Sequence, residues 1–151
     1  MTTRESVEPR AVQRLKDRLR GLLSMLALAF LLGMGANLIG MPDENNGVGL
    51  VVSIVLIALH ALIGIGLVVT AFLAMPAARA AGVGRREVLI GLIAIIVTFL
   101  AGIGTVMTGS GWLSFVMAVG FLVAAIVYVV AAVAAARADT AAGADTTRPA
   151  A

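Results

Sequence analysis

The chain of 151 residues contains no cysteine, and only 13% of its residues are charged. Without cysteine there is no disulfide and no thiolate metal site. A single histidine excludes the paired-histidine zinc motif. Asp, Glu, Lys and Arg are absent from four long stretches, 21–41, 50–74, 88–109 and 113–136. Neither a Ser/His/Asp set nor a paired-carboxylate metal site can be assembled within them.

What fills these stretches is apolar. The chain is 61% hydrophobic, with a mean hydropathy of +1.08. A soluble domain carries roughly 45–50% apolar and ~25% charged residues. Each stretch has the about 20 apolar residues that a helix needs to cross a bilayer. The pattern predicts an all-α, polytopic membrane protein, a four-helix transmembrane bundle that leaves no room for a soluble domain. The first stretch, with "ALAFLLGMGANLIGM", is longer than a signal-peptide core and lacks a small-residue cleavage site, so it is read as a retained span.

The sequence pI is about 10.6. Arg4, Arg10, Arg14, Lys16, Arg18 and Arg20 precede the first span; Arg79, Arg85 and Arg86 lie between the second and third; Arg137 and Arg148 follow the fourth. All eleven positive charges fall on one side of a four-span arrangement. By the positive-inside rule both termini are then cytoplasmic. The charges are read as partners of anionic lipid headgroups rather than of nucleic acid. Arginine-rich, alanine-rich and glycine-rich usage suggests a GC-rich bacterium, and hence the bacterial cytoplasmic (inner) membrane.

Residues 1–8 and 137–151 read as disordered polar tails around a region 9–136. In "PRAVQRLKDRLRGLL", Val12, Leu15, Leu19 and Leu22 recur at helical spacing. This segment is expected to be an amphipathic lead-in lying at the interface, its apolar side in lipid. The connection "MPDENNGVG" has turn chemistry. The "GVGRR" of the other loop lacks the strand and lysine of a phosphate cradle.

An internal repeat stands out. "AFLLGMGANLIG" (29–40) matches "TFLAGIGTVMTG" (98–109) at Phe30/Phe99, Leu31/Leu100, Gly33/Gly102, Gly35/Gly104 and Gly40/Gly109. The expected bundle is therefore two similar hairpins. Small residues let membrane helices approach closely. Gly33, Gly35, Gly64, Gly102, Gly104 and Gly120 are expected at helix–helix contacts, with stripes Ala29–Gly33–Asn37–Gly40, Ala94–Thr98–Ala101–Thr105 and Gly120–Ala124–Tyr128.

Beside several Ser and Thr residues, the polar residues inside the spans include Asn37, His60, Thr98 and Tyr128. His60 falls near the bilayer midplane, roughly 15 Å below the outer end of its span. Three uses compete. His60 can be a neutral imidazole hydrogen-bonded to a threonine, a tyrosine or a backbone carbonyl, with Thr98 at a suitable height. It can ligate a b-type haem, with Met25, Met34, Met107 or Met117 as a second ligand or through a second copy of the chain. It can carry protons in a small transporter.

The segments "LLGMGANLIGMP", "LHALIGIGLVV" and "LSFVMAVGFLVAAIVYVV" resemble four-span membrane proteins of actinobacteria. The resemblance rests on Asn37, Leu38 and Pro42, on His60, Ala61 and Gly64, and on Ser114, Met117 and Ala118. It implies fold and topology and no activity. A fainter likeness is to half of a haem A synthase-type bundle. The expected role is a non-enzymatic packing or accessory component, alone, as a homo-oligomer or with a membrane-protein partner, without a cofactor; haem binding and transport are the alternatives.

The charge asymmetry yields a topology prediction. A cytoplasm-reporting fusion after Ala151 is expected to be active, and one inserted within Asp43–Asn46 inactive. Cytoplasmic activity from the Asp43–Asn46 site would overturn the N-in, C-in arrangement.

Overall fold

The computed structural model describes residues 9–40, Pro42 and residues 45–146. Four α-helices follow one another: α1 (Pro9–Ile39), α2 (Gly47–Ala81), α3 (Arg85–Thr108) and α4 (Gly111–Thr146). All four are long and apolar enough to cross a membrane. In hydrocarbon every backbone N–H and C=O must be satisfied within the segment, so uncharged runs of this length form helices despite their many Val and Ile residues. The helices begin and end within a few residues of the four uncharged stretches, except where α1, α2 and α4 continue into the basic segments. The tail 1–8 and residues 147–151 lie outside the described residues.

Helix ends follow local chemistry. Gly82 ends α2 with φ 66°, and its N–H donates to the Arg79 carbonyl at 3.3 Å. Gly109 ends α3 with φ 63°, donating to Thr105 at 2.8 Å. Both adopt the left-handed conformation that glycine accepts without a Cβ clash. At the end of α1 the last carbonyls are reached by side chains. Asn45 Nδ2 donates to Ile39 at 3.1 Å, and the buried Ser53 hydroxyl donates to Gly40 at 2.7 Å.

The helices pack as a square: α1 on α2 and α4, α3 on α2 and α4. Many large apolar side chains point outwards. Leu31, Leu62, Leu100 and Leu122 are each at least 60% exposed, whereas Ala71, Ala74, Ala78, Ala124, Ala131 and Ala135 are fully buried. This inverts the size order of a soluble core and is the arrangement expected of helices packed within lipid.

The buried core is concentrated toward the basic end of the bundle, and here two expectations are corrected. Val12, Leu15, Leu19 and Leu22 are at most 1% exposed and join the α2 alanines, Val88, Tyr128 and Ala135 in one cluster. The amphipathic lead-in is thus core, not a lipid-facing anchor. The seam it fills is built by alanines too small to close it alone. The second correction concerns the tail. Residues 137–146, expected to be disordered, continue α4. Arg137 and the four alanines of the segment favour this, and Lys16 Nζ binds Asp139 Oδ2 at 2.7 Å, tying the continuation to α1.

The burial contrast predicts the effect of truncation. Leu15→Ala should lower unfolding stability in detergent by ~2–5 kcal/mol, the usual range for a large side chain removed from a packed core. Leu28→Ala, at a position 48% exposed, should be near neutral. Equal effects in thermal unfolding would place the lead-in back at the lipid surface.

Candidate functional site

His60 is on the inward side of α2, facing α1. Its Nδ1 lies 2.8 Å from the Ala29 carbonyl oxygen. A carbonyl only accepts, so Nδ1–H is the donor, and in the neutral ring Nε2 is left as the acceptor. Gly33, one turn beyond Ala29, makes the approach possible. A Cβ on Gly33 would stand 3.0 Å from His60 Cε1 and 3.2 Å from Nδ1. The ring occupies the notch that the missing methyl leaves. It is half-buried rather than enclosed.

The same construction recurs along the seams. Gly35 faces Leu56, with a Cβ position 3.5 Å from Leu56 Cδ1. Gly64 faces the Phe99 ring of α3 at 3.3 Å. Between α3 and α4, Gly102 faces Met117 Sδ at 3.3 Å, Gly104 faces Leu113 at 2.7 Å, and Gly120 abuts the Thr98 hydroxyl. Two notches escaped the sequence reading. Gly66 receives the end of Met25, and Gly91 receives the Tyr128 ring, whose Cζ would be 2.5 Å from a Cβ. Gly91 lies one heptad before Thr98, on the same stripe, and that spacing was the available signal.

Asn37, His60, Thr98 and Tyr128 do not form one site. Asn37 is exposed near the end of α1, off the seam its stripe suggested. Thr98, expected at hydrogen-bonding height beside His60, packs instead against Gly120 in the α3–α4 seam. Tyr128 lies farther along that seam. Thr98 Oγ1 and the Tyr128 hydroxyl are both buried without a protein hydrogen-bond partner. Thr70, Thr105, Thr108 and Thr140 each donate to the carbonyl one turn earlier, whereas Thr98 does not. A buried hydroxyl left unpaired costs about 1–3 kcal/mol, so these two contacts are held by packing.

Among the described residues no group of three or more His, Cys, Asp or Glu side chains could hold a metal. Met25 packs against Gly66, and Met117 against Gly102. Among the described residues His60 combines a hydrogen bond to another helix with a half-open ring.

Comparison with family models, curated proteins and solved structures finds no match to this chain. The resemblance to actinobacterial four-span proteins rests on the quoted motifs alone.

The Gly33–His60 contact predicts coupled energetics. His60→Ala should destabilise the protein by about 0.6 kcal/mol, the average for hydrogen bonds between membrane helices, and by no more than about 1.7 kcal/mol. Gly33→Ala should destabilise it by ~1–3 kcal/mol through overpacking. In the double variant the methyl group has room, so the two losses should fail to add by at least ~0.5 kcal/mol. Strict additivity in reversible unfolding would mean that the ring and the glycine do not meet.

Proposed function

We propose that this chain is a non-enzymatic, multi-pass protein of the bacterial cytoplasmic membrane, both termini inside, whose role is to pack as a structural or accessory component with itself or another membrane protein. The carrying observation is the use of its single histidine. The Nδ1–H is spent on a helix–helix hydrogen bond to Ala29, and the ring is spent on filling the Gly33 notch. This is what a register-fixing residue does: it gives one relative placement of α1 and α2 a hydrogen bond that neighbouring placements lose.

The same reading includes two related hairpins. In the first, Gly33 and Gly35 meet His60 and Leu56; in the second, Gly102 and Gly104 meet Met117 and Leu113. The glycines are two residues apart and their partners four apart in both, running in opposite directions. On this reading Met117 corresponds to His60. The correspondence is partial. Phe99 packs on Gly64, whereas its counterpart Phe30 is exposed. A parallel repeat of this kind relates the hairpins by an axis along the membrane normal.

One observation favours a second reading, haem b ligated by His60. Histidines that hold metals commonly donate their other ring N–H to a carbonyl, which is the role of the Ala29 oxygen here, and leave the free nitrogen for the metal. Nε2 would be the ligating atom, and iron redox chemistry is what the group would supply.

The visible spectrum separates the two. Protein expressed with ample haem and purified in detergent should show background absorbance, oxidised and reduced. A stoichiometric Soret band that disappears in His60→Ala would replace the packing role with the haem one.

A further inference from the structure

Between α1 and α4, at the basic end of the bundle, runs a groove of about 330 Å³ lined by Lys16, Arg20, Leu23, Ser24, Ala132 and Ala136. Its residues are graded along its length. Lys16, Arg20 and Ser24 succeed one another at one-turn spacing on α1, and Leu23 and the small α4 side chains form the apolar floor. Lys16 is paired with Asp139, so its charge is compensated and the ion pair marks the groove's polar end. Arg20 is different. It is exposed, and among the described residues it has no acidic partner. The Ser24 hydroxyl, one turn farther in, is also exposed and, among the described residues, without a protein partner.

The position of Arg20 decides what the groove suits. It is the last charge before the uncharged stretch 21–41. In a chain whose four helices cross a bilayer, that is the level at which phosphates meet hydrocarbon. A guanidinium there presents a planar fork that matches two phosphate oxygens. Below it, Leu23 and Ala132 offer an apolar bed with too little side chain to fill it. A soluble anion would use the first feature and leave the second in contact with lipid tails. An anionic lipid uses both.

We propose that the α1–α4 groove binds one anionic glycerophospholipid, its phosphate on Arg20 and Ser24 and the start of an acyl chain along Leu23 and Ala132. This rests on the reading of the four helices as membrane spans, which the reporter fusions test separately. Basic pockets between membrane helices at the cytoplasmic face are suited to such headgroups, where positive charge and an apolar wall meet. The bound lipid would bridge the first and last helices, which chain connectivity does not join, alongside the Lys16–Asp139 pair.

The test uses the full chain in a neutral detergent, titrated with dioleoyl phosphatidylglycerol and followed by native mass spectrometry and by thermal unfolding. The expected result is one phosphatidylglycerol retained per chain, with a rise in unfolding temperature that phosphatidylcholine does not reproduce. Arg20→Gln should weaken retention about fivefold, the effect of one basic side chain at an anionic surface. Arg86→Gln removes an equal charge from the same end but outside the groove and should bind as the wild type does. Ala132→Phe fills the floor without altering charge and should also release the lipid. Equal weakening by Arg20→Gln and Arg86→Gln would reduce the effect to diffuse attraction and overturn the site. So would unchanged retention in Arg20→Gln. If glycerol 3-phosphate alone gives the same stabilisation, the apolar floor is not used and the lipid assignment fails. Arg20 is exposed, so its variant reports even if Ala132→Phe does not fold.

Discussion

Close approach of helix backbones is the constraint on which this structure depends. Helices surrounded by lipid gain little by burying apolar side chains against one another, because the tails they leave are equally apolar. Association then relies on dispersion contacts, which decay within fractions of an ångström of separation. The protein meets this with glycine notches, each filled by one side chain of the facing helix. His60 in Gly33, Phe99 in Gly64, Thr98 against Gly120 and Tyr128 in Gly91 are four versions of one contact. The tightest involve rigid rings or backbone-proximal atoms, where a methyl group has nowhere to go. Those that end in Met25 or Met117 have flexible partners and tolerate more.

The same constraint explains why size, not polarity, separates inside from outside. Alanine and glycine line much of the seams, and many Leu, Val, Ile and Phe side chains face outwards, although Leu26, Leu67, Leu92 and Ile95 are buried. Only toward the basic end does a conventional core of large residues appear, where Leu15, Leu19 and Leu22 enter from α1. There the helices run beyond the uncharged stretches. Burying large apolar side chains away from water is again favourable at that end, by about 25 cal/mol per Å². Two packing regimes therefore meet along one bundle. The Lys16–Asp139 pair lies at the basic end of the bundle, joining the first helix to the last.

His60 belongs to both the packing and the hydrogen bonding of the bundle. The Ala29 carbonyl already serves its own helix, and it takes the histidine on a second lone pair. One hydrogen bond between helices is a modest energy. Its value is directional: it is lost if α1 slides or rotates relative to α2, whereas dispersion contacts change gradually. The unpaired hydroxyls of Thr98 and Tyr128 show the opposite case, in which packing overrides hydrogen bonding in the α3–α4 seam.

Four helices of spanning length were legible in the order of residues, because a run free of charge in hydrocarbon has no alternative to internal hydrogen bonds. Gly82 and Gly109 end α2 and α3 through their own backbone angles, although the uncharged stretch runs on to Gly109. The matched glycines at Gly33/Gly102 and Gly35/Gly104 marked where helices approach, but not which side chain each receives. That choice depends on the rotation and register of two helices remote in sequence. So Thr98, at a suitable height for His60, meets Gly120 instead, and the histidine takes a carbonyl that no composition singles out. The lead-in and the extended α4 were misjudged for one reason. Amphipathic periodicity reports that a face is apolar, and local polarity reports that a segment is solvated. Whether such a face finds lipid or a partner helix is decided by the tertiary arrangement, here by alanines on α2 and an ion pair spanning 123 residues.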